Sequence, residues 1–251
     1  MALILPTFSP SPVSAAGFSQ GAIDGLRLSW VNVTTVQIGI GKARDSADAA
    51  NVELTGTQNV AITASGINGL DTGSEATSTW YSVWIVSGSS GTGGLLSTSA
   101  TTPTLPGGYD VSKRRIGWVY NHSDGDLQNF DMEGSGRDRT TWWHESGPDY
   151  LNVVTDGNSN GSWTEVDVSS RVPTTADSMW VRGYSGAGGT VSSRVRPSDY
   201  TITAAYMLLI HDEARWGFQR FFCVDTKAIQ YYSDSGTPQI TIGIKGWKET
   251  I

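Results

Sequence analysis

Apolar and polar residues alternate with a period of two over many short stretches of this chain. Val36, Ile38 and Ile40 form one stretch, and Ile240, Ile242 and Ile244 form the clearest one. Because successive side chains of a strand point to opposite faces, the alternation predicts strands with one buried face. Turn sequences rich in Gly, Ser and Asp separate the stretches, so we predict about seventeen short strands. A short helix is an alternative only near residues 202–215, where a weak helical period overlaps a predicted buried strand.

One run, Trp80 to Val86, is apolar at nearly every position. A strand with two apolar faces is covered on both sides, so we expect a second sheet or another subunit over it. The basic triplet Lys113 to Arg115 lies in a later strand pattern, and we interpret it as a solvated strand end.

These patterns predict an all-β fold of two β-sandwich or jelly-roll-like domains with an extended N-terminal arm. We place the arm at residues 1–23, because residues 6–21 carry three prolines among Ser, Ala and Gly and show no alternation. The N-terminal β domain then covers residues 24–140, and the C-terminal domain covers residues 141–251.

The composition limits the classes of partner. The net charge is −7, charged residues make up 16% of the chain, and no basic stripe is present, so nucleic acid is not an expected partner. The first residues lack the basic region of a signal peptide, and no apolar stretch is long enough to predict membrane insertion. The single cysteine, Cys223, excludes an intrachain disulfide and is predicted to be a buried apolar residue.

The sequence contains no recognisable catalytic or cofactor motif, so we predict no enzyme activity, no cofactor and no metal site. The three histidines lack metal-ligand spacing, and Asp124 to Asp126 is interpreted as a surface turn rather than a calcium loop. Glycoside hydrolysis needs a pair of carboxylates, and four acidic residues lie close enough in sequence to be considered for it: Glu133, Asp138, Glu145 and Asp149.

Tryptophan is unusually frequent, with ten residues in the chain. Trp142, Trp143 and His144 stand among polar residues, and adjacent strand residues face opposite sides, so one of the two indoles is expected to face away from the core. An outward indole beside polar groups suits the apolar face of a sugar. Trp180, Arg182 and Tyr184 form a second candidate set, on one outward face. The alternative for both sets is burial in the core or in a subunit contact.

Five motifs occur in a fixed order between residues 24 and 135: a Gly-Lys-Ala-Arg-Asp-Ser turn at 41–46, a Gly-Leu-Asp-Thr-Gly turn at 69–73, the Thr-Trp-Tyr strand at 79–81, the loop TPTLPGGY at 102–109 and the Lys-Arg-Arg-Ile-Gly strand at 113–117. This segment resembles tail-fibre and related virion proteins of tailed bacteriophages. Residues 136–251 resemble them only loosely.

The resemblance implies a structural virion protein that is made in the host cytoplasm and located in the virion. It implies a homotrimeric tail-fibre, tail-tip or baseplate-associated adhesin, joined to neighbouring virion proteins through its N-terminal arm and contacting a host-surface glycan. Two alternatives stay open. One is a head fibre or decoration protein of the capsid, and the other is a glycan-cleaving tail module.

Overall fold

The computed structural model describes residues 18–144, 152–185, 192–198, 208–211, 216–222, 227–233 and 240–251. These residues are all-β, as the alternation predicts, and form nineteen strands in five sheets. None of them belongs to a helix that is long and apolar enough to cross a membrane. Residues 1–17 of the predicted arm, Cys223 and residues 202–207 lie outside the described residues.

The first half of the chain forms three antiparallel sheets of three strands each. The first sheet has the order β1-β4-β5, the second β2-β3-β6 and the third β8-β7-β9. The strands are β1 (Ile23–Gly25), β2 (Leu28–Asn32), β3 (Thr35–Ile38), β4 (Gly41–Arg44), β5 (Asn51–Leu54), β6 (Gln58–Ala61), β7 (Thr79–Gly88), β8 (Gly91–Ser97) and β9 (Ser112–Asn121).

The remaining strands form two larger sheets. One has the order β10-β11-β19-β14-β17, with β12 also paired to β19, and the other has the order β13-β18-β15-β16. The strands are β10 (Phe130–Glu133), β11 (Asp138–Trp143), β12 (Asn152–Gly157), β13 (Thr164–Asp167), β14 (Ser178–Ser185), β15 (Ser192–Pro197), β16 (Leu208–His211), β17 (Trp216–Phe222), β18 (Ala228–Ser233) and β19 (Ile240–Thr250). Strands β11 and β12 pair with successive parts of β19, while β14 pairs along the opposite edge of β19.

One hydrophobic core runs through both halves of the chain, from Ile23 to Ile251. The core includes Trp143 and Trp247, and the half-buried Trp80 contacts them at 5.9 Å and 5.4 Å between ring centroids. The predicted domain boundary between residues 140 and 141 falls inside β11, which pairs with β19 near the end of the chain. A boundary there would divide a continuous strand, and the division into two domains stays a prediction.

The strand β7 is covered on both faces, as its apolar run predicts, and the cover comes from this same chain. Tyr81, Val83 and Ile85 belong to the main core. Trp84 and Val86, on the other face, pack with Leu95, Leu105 and Tyr109 in a small second cluster. The loop that carries Leu105 and Tyr109 therefore covers Trp84 and Val86, while Trp80, at the same parity of the strand, packs against Trp143 and Trp247.

Two expectations from the sequence are wrong. Ile23, placed in the arm, is only 4% exposed and pairs with Ala43, so the described end of the arm belongs to the fold.

The basic triplet, Lys113 to Arg115, is not a solvated strand end. Arg114 donates to the main-chain oxygen of Ile251 at 2.8 Å, and Arg115 lies 2.8 Å from the carboxylate of Glu249, which is 1% exposed. Burial of this carboxylate requires a charged partner, and the β9 strand supplies it.

Candidate functional site

The strand β11 places its two adjacent tryptophans on opposite faces of the larger sheet. Arg139, Thr141 and Trp143 point inward, while Thr140 and Trp142 are half-buried on the outer face. Trp143 is 4% exposed, packs 4.8 Å from the ring of Trp247, and donates its indole N–H to the carbonyl of Arg171 at 3.1 Å. The proposal of Trp143 as a glycan contact is therefore wrong, because its ring is part of the core.

The outward indole of Trp142 pairs with that of Trp180, two strands away. Gly246 of β19 is the Cα partner of Trp142 on one side and of Trp180 on the other. Strands lie about 4.8 Å apart, so these two backbones are separated by roughly 10 Å. Their rings nevertheless approach to 4.6 Å between centroids, with 48° between the ring planes. The two indoles form one aromatic surface across β19, which we call the indole pair.

Gly246 is required at the centre of this row. A Cβ added to Gly246 would overlap the carbonyl oxygen of Thr141 and crowd the Cα of Trp142. Glycine inside a strand often marks a close backbone approach of this kind. The absence of a side chain also leaves the outer surface of β19 open to the two rings that lean over it.

Charged groups surround the Trp142 side of the indole pair. The indole N–H of Trp142 donates to Glu133 Oε2 at 3.1 Å. Asp131 is the Cα partner of Trp142 on β10, and its carboxylate contacts the ring of His144. Lys248 lies 3.3 Å from Asp138. The strand pairing of β10 with β11 thus puts two exposed carboxylates beside an indole edge, which the sequence alone did not reveal.

The second predicted set lies on the same face of the sheet. Trp180, Arg182 and Tyr184 are half-buried and alternate with buried Met179, Val181 and Gly183, so they share one side of β14 as the sequence predicts. Arg182 donates to Asn152 Oδ1 at 3.2 Å across Gly243, which is the Cα partner of both residues. The outer face of β19 is therefore bridged twice, by a ring contact at Gly246 and by a hydrogen bond at Gly243.

Of the four acidic residues considered for hydrolysis, Glu133 and Asp138 lie on this face, while Glu145 and Asp149 lie outside the described residues. Glu133 is bonded to an indole, and Asp138 is paired with Lys248. Among the described residues, no group of three or more His, Cys, Asp or Glu side chains is arranged to hold a metal ion.

A second aromatic face occurs on the sheet of β13, β18, β15 and β16. Trp163 and Tyr232 lie 5.5 Å apart between ring centroids. The guanidinium of Arg196 stacks 3.8 Å from the Trp163 ring, and that of Arg194 lies 5.2 Å from the Tyr232 ring. Burial lowers the pKa of Arg196. This face carries cations beside its aromatic rings, whereas carboxylates line the Trp142 edge of the indole pair.

The turn at residues 124–126 is a surface turn, as predicted. The Asp126 amide donates to Asp124 Oδ1 at 3.1 Å, and this backbone hydrogen bond is the main reason why the pKa of Asp124 lies below its usual value. A cleft next to it is lined by Trp30 and His122, but Trp30 uses its indole N–H to bond the carbonyl of Leu127 at 3.0 Å. The Asp124 carboxylate and the Trp30 indole N–H are therefore both engaged in hydrogen bonds to the backbone of the local fold.

No protein-family model matches the sequence, and no curated protein matches it significantly.

The geometry of the indole pair still has clear chemical consequences. The two rings, tilted by 48° to each other, present apolar surface against which the C–H face of a sugar ring can pack, and the carboxylates beside them can accept hydrogen bonds from hydroxyl groups. Of the six residues predicted for sugar contact, Trp142, Trp180, Arg182 and Tyr184 share the outer face, His144 is exposed at the end of β11, and Trp143 lies on the opposite side.

Proposed function

We propose that this protein is a structural virion protein of a tailed bacteriophage, and that it acts as a tail-fibre, tail-tip or baseplate-associated adhesin. The ordered motifs between residues 24 and 135 support the virion role through their resemblance to tail proteins. The all-β architecture is compatible with that role. The observation that carries the adhesin role is the indole pair on the outer face of the larger sheet.

The indole pair suits weak contact with a host-surface glycan. A shallow stacking site gains only a few kcal/mol after the entropic cost of binding is met. Several copies on one particle would raise the avidity by a factor on the order of 100 or more without any new contact. Weak sites in many copies are therefore sufficient for adsorption of a particle.

A homotrimer is part of this proposal and follows from the resemblance alone. The two-sided apolar strand β7 no longer supports it, because the loop with Leu105 and Tyr109 covers the second face. Light scattering of the purified protein should give three times the 26.8 kDa mass of the chain. A monomer at micromolar concentration would remove the trimer from the proposal and leave avidity to the number of copies per particle.

Two experiments test the role itself. Cryo-electron microscopy of the intact particle should place this chain on the tail, whereas a position on the capsid surface would favour a head fibre or decoration protein. In the second experiment, host cells are incubated with excess purified protein before the phage is added. Adsorption should fall with the native protein and stay normal with Trp142→Ala. Equal inhibition by both proteins would refute a role for the indole pair.

We also propose binding without cleavage. Host polysaccharide incubated with the protein should keep its chain length, measured by size-exclusion chromatography. A shift to shorter chains would favour the glycan-cleaving alternative, and Glu133→Gln and Asp138→Asn would then show whether the acidic residues of this face are responsible.

A further inference from the structure

The charges around the indole pair carry information about the kind of sugar. Asp131, Glu133 and Asp138 all lie on the outer face beside Trp142. Lys248 offsets the charge of Asp138, and His144 contacts Asp131. Glu133 is bonded to a neutral indole N–H, and no described cation forms an ion pair with it. The edge of the aromatic surface at Trp142 is therefore acidic.

Carboxylates in this position discriminate between ligands. An ionised carboxylate accepts hydrogen bonds and donates none, and charge-assisted bonds from hydroxyl groups are strong. Trp142 uses Oε2 of Glu133, so Oε1 can accept from a ligand. A sugar hydroxyl over Trp142 can donate to that oxygen. A sugar carboxylate in the same place would meet a like charge, which costs roughly a tenfold loss of affinity near a protein surface.

We infer that the indole pair binds an uncharged hexopyranose, with its C–H face over Trp142 and Trp180 and a hydroxyl group donating to Glu133. This inference rests on the proposed glycan-binding function and deepens it. At the second aromatic face guanidinium groups lie beside the rings instead: Arg194 beside Tyr232, and the buried Arg196 beside Trp163. The Trp142 edge of the indole pair is thus acidic, whereas Arg182 lies on the Trp180 side of the same face and guanidinium groups lie beside the rings of the second face.

Matched pairs of small probes test the inference. The methyl glycosides of glucose, galactose and mannose are compared with those of the corresponding uronic acids, which differ only by a carboxylate at C6. NMR follows the indole N–H signals of the full-length protein, assigned with Trp142→Phe and Trp180→Phe. At least one neutral sugar should shift the Trp142 and Trp180 signals with millimolar affinity, and its uronic acid should bind about tenfold more weakly.

Two variants separate charge from shape. Glu133→Gln keeps an oxygen that accepts the Trp142 indole N–H and removes the negative charge. It should bring the affinities of the neutral and acidic sugars close to each other, while Trp142→Ala abolishes binding of both. Trp163→Ala changes a half-buried tryptophan on the other sheet and should leave the signals of the indole pair unchanged.

The outcomes distinguish the inference from the function on which it rests. If a uronic acid shifts the Trp142 and Trp180 signals as strongly as its neutral partner, the inference is wrong and glycan binding stands. A preference that persists unchanged in Glu133→Gln also overturns the role of that carboxylate. If none of the probes shifts either signal and the protein fails to compete with phage adsorption, both the inference and the proposed glycan contact are wrong.

Discussion

Adjacent residues Trp142 and Trp143 should respond to alanine substitution in opposite ways. Trp143 is buried among Trp80 and Trp247, and its indole N–H satisfies the carbonyl of Arg171. Removal of a buried tryptophan costs about 3–5 kcal/mol, because it removes apolar contact and leaves a cavity. The Arg171 carbonyl, left without this hydrogen-bond donor, adds to the loss of stability. We therefore expect Trp143→Ala to lower the free energy of unfolding by about 4 kcal/mol.

Alanine substitution of the half-buried Trp142 should lower the free energy of unfolding much less. Its described contacts are the ring of Trp180 at 4.6 Å and the carboxylate of Glu133 at 3.1 Å. An aromatic pair of this kind contributes about 0.5–1.5 kcal/mol beyond its buried area, so we expect a loss of about 1–2 kcal/mol. For a chain of this length each kcal/mol lowers the melting temperature by about 2–4 °C, which separates the two variants by roughly 4–12 °C.

The assay combines thermal unfolding by circular dichroism with the adsorption experiment. Trp143→Ala should melt far below the native protein, while at temperatures where it is folded it should still compete with phage adsorption. Trp142→Ala should melt close to the native protein and fail to compete. If Trp142→Ala destabilises the protein as much as Trp143→Ala, the outward placement of its indole is wrong. If Trp143→Ala alone abolishes competition in the folded state, the site lies on the other face.

Further expectations concern the interior and the N-terminal end. Arg115→Met should cost about 3–5 kcal/mol in urea denaturation, because it removes the ion-pair partner of the buried Glu249 carboxylate. Adding Glu249→Gln should recover part of the loss, whereas a cost under about 1 kcal/mol for Arg115→Met would contradict the buried pair. Gly246→Ala should lower the melting temperature and weaken sugar binding together, since its Cβ overlaps the Thr141 carbonyl and must displace β11; a stable variant with normal binding would contradict this. Deletion of residues 1–17 should leave the melting temperature nearly unchanged and prevent incorporation into particles, whereas deletion through Ile23 should also lower it by several degrees, because a core residue is lost. The pKa of Asp48 is lowered chiefly by a hydrogen bond from the Gly21 amide, so that contact stabilises the ionised form above the usual aspartate pKa and is lost as the pH falls through the lowered value. The protection of the Gly21 amide, measured as its exchange rate relative to the intrinsic rate at the same pH, should therefore fall at acidic pH in the native protein and be low at every pH in Asp48→Ala.

The alternation of residues was sufficient to predict the all-β class and many individual strands. Ile240, Ile242 and Ile244 are buried as predicted. This success has a simple cause, because the two-residue period of a strand is a local property of the backbone. The same period predicted correctly that Trp142 and Trp143 face opposite sides.

The period of two does not say which side is the core. That choice depends on the sheet of β7 and β9, whose Trp80 meets Trp143 of β11 and Trp247 of β19 on their inner face. For the same reason the sequence could not show that Glu249 is buried and that the basic triplet would supply its partner. A charge run looks like a solvated surface until the tertiary structure places a buried carboxylate beside it.

The candidate site itself is a product of strand pairing. Trp142, Gly246 and Trp180 come from three separate parts of the chain, and only the order β11-β19-β14 brings them into one row. The sequence determined that these segments are strands and that each of the two tryptophans faces the side opposite to its chain neighbours. The tertiary structure decided which strands are adjacent and in which register, because pairing between distant strands depends on burial across the whole core rather than on local periodicity.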